Sequence, residues 1–317
     1  MKVALALIGV TALARVALAD DPPVPVVERD VVELAPARGV RITSIDVDNR
    51  LGDVRVEGHD RDSISVMAIK RAPDGETIER LKVSLVPDPN GPVTISTSLL
   101  AGQEARPVPA GAIRIDLVIL APRGARVQAE AWKGKVAIQG LDNGAELVTD
   151  DGDIDVTQVS GDISTRSAHG SQSFAEIFGA IDARAVQGDL DLDLVRGERL
   201  AAMVQLGDVI AHRVRVRNLS VRITRGDAII EGEAMPGGSY HIASYWGNVQ
   251  VKLRGKTPVR VAARTQAGQV TLPARLRRRE NRAFGDSERV IGSLGSGRSP
   301  ADLDLRTRVG SITVTEF

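Results

Sequence analysis

Aliphatic residues recur along this chain in short alternating bursts, each opened by a glycine and usually a polar residue. The pattern reads Gly152-Asp153-Ile154-Asp155-Val156, Gly188-Asp189-Leu190-Asp191-Leu192, Gly207-Asp208-Val209-Ile210-Ala211, Gly226-Asp227-Ala228-Ile229-Ile230 and Gly247-Asn248-Val249-Gln250-Val251. Side chains on a strand alternate between its two faces, so the aliphatic pair of each burst points to one side. Self-similarity at a fixed step means a stack of equivalent strands and turns. The markers Gly134, Gly144, Gly152, Gly161, Gly170, Gly179, Gly188, Gly197 and Gly207 follow one another by eight to ten residues, and Gly226, Gly247 and Gly268 by about twenty. Two turns per coil of about nineteen residues fit both spacings. Val136 and Ile138, Ile154 and Val156, Leu190 and Leu192, Val249 and Val251, Val270 and Leu272, and Ile312 and Val314 are then predicted to stack into inward ladders. The recurring glycine fits a turn needing positive φ or close backbone approach, and the Asp after it can accept from nearby backbone N–H groups.

Before the repeat, Ile45, Val47, Val54, Val56, Ile64, Val66 and Ala68 alternate and predict a hairpin-like series of half-buried strands. Pro73-Asp74-Gly75 marks a turn, after which Glu76–Leu81 reads as one or two helical turns or a loop. Strands are expected again at Val83–Leu85 and Val93–Ile95, an excursion at 101–110, and a cleanly alternating strand through Ile113, Ile115, Leu117 and Ile119. After Leu272, the run Arg275-Leu276-Arg277-Arg278-Arg279 and the glycines Gly292, Gly295 and Gly297 lack alternation and read as a long basic loop. Leu303, Leu305 and Gly310-Ser311-Ile312-Thr313-Val314 read as closing strands that cap the stack.

The fold class expected is therefore all-β: a single-chain β-solenoid with glycine-marked turns about every nine or ten residues. Composition agrees: 43% of the 317 residues are hydrophobic but only 3% aromatic, so the core is one of Val, Ile, Leu and Ala, which suit stacked pleated strands. Without cysteine no disulfide contributes, and burial with strand pairing must hold the fold. Lys2, the apolar run Val3–Ala14 and Ala17-Leu18-Ala19 before Asp20 read as a cleaved secretory signal over residues 1–19, the apolar run being too short to span a bilayer. The organisation expected is signal 1–19, linker and first extended segment 20–38, an N-terminal β-strand region 39–125, and solenoid repeats with the basic loop and closing strands over 126–317.

Charge is balanced overall, with 41 basic and 41 acidic residues, which gives no electrostatic case for nucleic acid. It is uneven locally: twelve acidic and two basic residues lie between Asp142 and Asp193, ten basic and one acidic between Lys252 and Arg282. That asymmetry admits weak end-to-end self-association or an anionic partner.

Val47-Asp48-Asn49-Arg50-Leu51-Gly52-Asp53-Val54-Arg55-Val56, the turn at Pro122, the glycine series from Gly134, and Leu305-Arg306-Thr307-Arg308-Val309-Gly310-Ser311-Ile312 resemble the bacterial "putative adhesin" family of the domain of unknown function 4097. The resemblance covers nearly the whole chain after residue 19. It implies a β-solenoid and an exported, envelope-associated protein, periplasmic or at the cell surface, and it carries over no catalytic residues. The Arg275–Arg282 segment departs from the pattern.

For chemistry, Tyr240, Tyr245 and Trp246, with His241, gather much of the aromatic content within seven residues and form a candidate ligand surface, since sugar rings stack on exposed aromatic faces. Arg275, Arg277, Arg278 and Arg279 form a candidate electrostatic contact. The Asp150, Asp151, Asp153 and Asp155 cluster matches neither calcium-loop spacing, and Arg225-Gly226-Asp227 is the ordinary turn of the repeat. His59, His169, His212 and His241 show no metal spacing, and Ser167 and Ser171 beside His169 lack a convergent third group. No catalytic, cofactor or metal site is expected. The leading reading is a non-enzymatic structural or adhesin-like module whose partner is an envelope glycan or another envelope protein, without a transmembrane span. A carbohydrate-active β-helix enzyme and an end-to-end envelope scaffold are the alternatives.

Overall fold

The computed structural model describes residues 25–35, 41–88, 91–100 and 111–316. The signal assigned to 1–19 and the excursion at 101–110 lie outside the described residues. The chain is all-β, and it divides into two compact units, Met1–Asp153 and Ile154–Phe317.

The first unit contains β1 (Val26–Leu34), β2 (Ser44–Asn49), β3 (Val54–His59), β4 (Ile64–Ala72), α1 (Gly75–Arg80), β5 (Leu81–Pro87), β6 (Val93–Leu99), β7 (Arg114–Pro122), β8 (Arg126–Lys133), β9 (Val136–Gln139) and β10 (Ala145–Asp151). The predicted inward residues Ile45, Val47, Val54, Val56, Ile64, Val66 and Ala68 are buried, but the hairpin is not formed. β2 pairs in parallel with β6 and β8, whereas β3 pairs in parallel with β7 and β9, so β2 and β3 are successive arms of one coil in two different ladders. Alternation fixes which side chains point inward but not which strand lies alongside, and both arrangements bury the same set.

The outer coil β6–β7 is covered by antiparallel strands, β5 on β6 and β4 on β7, with β1 on β4. β1 starts at Val26, within the segment 20–38 read as linker and first extended stretch, and its Glu28 and Asp30 pair with the buried ammonium of Lys70. The short segment after Pro73 is helical because Asp74 caps it, its carboxylate accepting the Thr77 N–H at 2.6 Å.

The second unit contains β11 (Ile154–Ser160), β12 (Ile163–His169), β13 (Gln172–Phe178), β14 (Ile181–Gln187), β15 (Leu190–Leu206), β16 (Val209–Arg225), β17 (Ala228–Glu233), β18 (Ser239–Trp246), β19 (Val249–Arg254), β20 (Val259–Ala267), β21 (Val270–Thr271), β22 (Arg277–Phe284), β23 (Ser287–Leu294), β24 (Ala301–Val309) and β25 (Ile312–Glu316). Leu190 pairs with Val209, Val209 with Ala228 and Ala228 with Val249, giving the parallel coil of about nineteen residues. Leu190, Leu192, Val209, Ala211, Val249, Val251, Ile312 and Val314 are all buried as inward ladders. Each fully buried Val, Ile or Leu contributes about 1.5–3 kcal/mol before ordering entropy.

The turn column is tight. A Cβ at Gly226, whose φ is +142°, would lie 2.0 Å from the carbonyl oxygen of Gly207 in the preceding coil. The following residue joins the coils: Asp189 accepts the Asp208 N–H at 2.8 Å, Asp208 that of Asp227 at 2.7 Å, Asp227 that of Asn248 at 2.7 Å, and Asn248 that of Ser311 at 2.9 Å. A further corner, absent from the sequence expectation, falls where Gln158, Glu176, Leu194 and Arg213 take φ near +55°. It shifts the next inward position by three residues instead of two, so Val159, Ile177, Val195 and Val214 are buried.

Two expectations about the C-terminal region are corrected. The basic loop is a strand, β22, antiparallel to β23, which in turn lies antiparallel on β20. An edge strand exposed on both faces needs no inward aliphatic set, which is why alternation is missing from it. The closing strands do not cap the stack either. β24 lies between β18 and β20, and β25 between β19 and β21, so the last coil in sequence is internal and the β22–β23 hairpin covers the edge.

Candidate functional site

Ladder pairing in the second unit brings together residues far apart in sequence just before the glycine column. Leu206 pairs with Arg225, Arg225 with Trp246, and Trp246 with Val309. The last inward position of each strand lies three residues before the turn glycine, so the two side chains that follow it face out: Leu206, Tyr245, Trp246 and Val309 are each about two-fifths exposed. Three coil steps of ~4.8 Å make this ridge about 14 Å long.

The ridge carries two cations. The Arg225 guanidinium lies 5.5 Å from the centroid of the Trp246 ring, and that of Arg308 lies 4.7 Å from the Tyr245 ring. The two rings meet edge to face, with centroids 4.3 Å apart and planes at 82°. A guanidinium held over a ring engages it through its charge and still has N–H donors to offer an external acceptor. Among the described residues Arg225 and Arg308 have no ion-pair partner, so the ridge is an aromatic surface with net positive charge. Such a surface suits a partner that combines acceptor oxygens or negative charge with flat apolar faces.

Tyr240, expected beside these rings, is instead a core residue. It is buried, and its hydroxyl donates to the Val216 carbonyl at 2.7 Å and accepts the Met235 N–H at 2.7 Å. It has the inward parity of β18, whereas Tyr245 and Trp246 occupy the turn end. Burial pushes its phenol pKa up. A raised folded pKa contributes stability that is complete below the unfolded value near 10 and is lost as pH rises through the folded value. Tyr240→Phe is therefore expected to cost about 1–3 kcal/mol near neutrality, because two backbone groups lose their partner. The stability of the variant, followed by denaturant melts, should also decline less than that of the parent between about pH 9 and 11.

Arg277, Arg278 and Arg279 are exposed on β22 with no acidic partner among the described residues, and Arg275 pairs with Glu316 at 3.2 Å. These positions are not brought near the aromatic ridge by any strand pairing of the second unit. The other motifs are occupied by structural roles. In Arg225-Gly226-Asp227, the arginine stacks on Trp246, the glycine belongs to the column and the aspartate accepts the Asn248 N–H. Asp193 holds Arg213 through two charge-assisted bonds, which lower the carboxyl pKa. Ser167 is buried against Gln172, whose amide also reaches the Arg184 carbonyl. Among the described residues no group of three or more His, Asp or Glu side chains is arranged to hold a metal ion.

Sequence reading missed Arg225, Arg308, Leu206 and Val309, because only the ladder register places them beside the two aromatics. The signal was partly present, since all lie one or two residues before a marker glycine.

The model of the family described as Toastrack DUF4097 matches residues 42–315. None of the curated proteins matches the chain. Among solved structures, the chain is similar to a "putative adhesin" from Parabacteroides distasonis (10% identity, 92% of this chain and 97% of that one, TM-score 0.39). It is also similar to a "putative adhesin" from Bacteroides fragilis (12% identity, 90% and 96% covered, TM-score 0.38). A "putative cell adhesion protein" from Clostridium sporogenes is covered completely, with 92% of this chain, at 12% identity and TM-score 0.23.

Proposed function

We propose, from the premise that the chain belongs to the Toastrack DUF4097 family, that it is a non-enzymatic, adhesin-like binding module of the bacterial cell envelope, exported by its N-terminal segment. The observation that carries this reading is the ridge of Leu206, Arg225, Tyr245, Trp246, Arg308 and Val309, in which two exposed rings and two arginines, with no ion-pair partner among the described residues, are held on a rigid ladder. The partner it fits is an envelope glycan bearing negative charge. Sugar faces stack on the rings, and in-plane guanidinium donors take carboxylate or phosphate oxygens. The turn carboxylates, by contrast, are engaged in coil-to-coil bonds and present no acid–base pair to a substrate, which supports binding over turnover.

The test is co-sedimentation of the protein with isolated peptidoglycan sacculi and with outer-membrane vesicles at low and high salt. Saturable pelleting is expected, reduced at least about tenfold in affinity in a Tyr245→Ala/Trp246→Ala variant that melts like the parent. Partial loss at high salt is expected from the two arginines. Pelleting that is equal in parent and variant would sink the assignment of the ridge. Turnover of a soluble oligosaccharide would favour a carbohydrate-active enzyme instead.

A further inference from the structure

The first unit contains a cleft of about 440 Å³ whose lining includes Asp48, Arg50, Leu51, Leu81, Thr97 and Leu99. This volume falls within the range of pockets that enclose small organic molecules. Its walls carry two opposite charges that do not meet. Asp48 and Arg50 are two residues apart, at the end of β2 and in the turn that follows. They flank the inward, fully buried Asn49, so both stand on the outer side of the chain there.

Each charge is held open. The Asp48 Oδ1 atom is buried and accepts no hydrogen bond from any described residue. An ionised carboxylate can only accept, so that oxygen calls for an external donor. Arg50 places its guanidinium 5.1 Å from the centroid of the Trp132 ring and has no ion-pair partner among the described residues. Near the ring and without an ion pair to Asp48, the guanidinium can offer its N–H fork to an anion.

The backbone that presents these groups is fixed from inside. Asn49 is fully buried, donating to the Ile115 carbonyl at 2.9 Å and the Asp53 carbonyl at 3.2 Å, and its Oδ1 accepts the Thr97 hydroxyl at 2.8 Å. The Thr97 hydroxyl in turn accepts the Arg50 N–H at 3.4 Å. Both charged residues thus flank a hydrogen-bonded anchor. Leu51, Leu81, Leu99 and Ile115 supply an aliphatic wall.

We infer that this cleft binds a small zwitterion with an aliphatic arm, of the free amino acid type, its ammonium on Asp48, its carboxylate on Arg50 and its side chain against Leu51, Leu81 and Leu99. This goes beyond the adhesive reading and does not depend on it, since every residue involved lies in the first unit.

The test is calorimetric titration of the full chain with leucine, glycine, isovalerate, which lacks the ammonium, and isoamylamine, which lacks the carboxylate. Leucine is expected to saturate the protein, and each of the other three to bind at least about tenfold more weakly. Asp48→Asn should abolish the advantage of leucine over isovalerate, and Arg50→Gln its advantage over isoamylamine, with both variants melting like the parent. The Tyr245→Ala/Trp246→Ala variant should bind leucine as the parent does, so failure here and failure of the ridge are separable. No saturable leucine binding, or leucine binding unchanged by both charge substitutions, overturns the inference.

Discussion

Gly226→Ala is expected to destabilise the second unit by about 3–5 kcal/mol, among the largest losses a single methyl group can cause. Two costs combine. The residue sits at φ +142°, outside the region open to L side chains, and the new Cβ would lie 2.0 Å from the Gly207 carbonyl oxygen and 2.6 Å from its carbon. The obstacle is backbone, not a flexible side-chain tip, and it cannot shift without displacing the turn on either side. The turn also carries Asp227, whose bonds join this coil to its neighbours through the Asp208 carboxylate and the Asn248 N–H. Denaturant melts of parent and variant measure the loss. Gly75→Ala is the control: nothing lies within 4 Å of its Cβ position, and it begins α1, so it should be neutral or slightly stabilising. A Gly226→Ala protein within about 0.5 kcal/mol of the parent would refute the column as the constraint on this residue.

Phe174→Ala is expected to cost about 3–5 kcal/mol through lost burial and the cavity left behind. Phe174 is 1% exposed and heads the fully buried side chains by volume in a core built mostly of aliphatic residues. It stands in an inward ladder between Val156 and Leu192, each held by parallel pairing, so its neighbours have little freedom to collapse into the space. Gln172, two residues before it, occupies an inward position paired with Ile154 and Leu190. Its amide is satisfied by Thr165, Ser167 and the Arg184 carbonyl, which makes this coil doubly dependent on local geometry. Phe174→Leu should recover most of the loss, because it restores volume to the ladder. Equal melting of the Ala and Leu variants would show that the site relaxes and that the ladder is not rigid there.

Much of this architecture follows from local chemistry. The alternation through Val209, Ala211, Val249 and Val251 fixes the inward faces because the strand period is two, and a slip of one residue would bury the polar set instead. At Gly134, Gly188, Gly207, Gly226, Gly247 and Gly268 the marker glycine locates a turn because no other residue tolerates both the positive φ and a neighbouring carbonyl oxygen at 1.9–2.2 Å from the Cβ position, whereas Gly197 falls inside β15. The Asp after the glycine was legible as a backbone acceptor, and it is one.

Tertiary structure decided the rest, and in each case the quantity at stake is which strands become neighbours. Local preference is the same for a hairpin and for two arms of a coil, so β2 and β3 could be assigned their faces but not their partners. The last coil enters between β18 and β20 because long-range pairing, not chain order, fills the ladder. The Arg-rich segment is a strand although it lacks a periodic signal, since an edge exposed on both sides imposes none. The same holds for function. Clustering in sequence placed Tyr240 with Tyr245 and Trp246, but strand parity sends the first into the core and leaves the other two at the surface. Register then supplies Arg225 and Arg308 from coils remote in sequence. What the sequence by itself determined was which residues turn, which point inward and what repeats; what only the folded chain decided was which of them meet, because neighbour choice in a ladder rests on the sum of pairings across the whole stack and on no single segment.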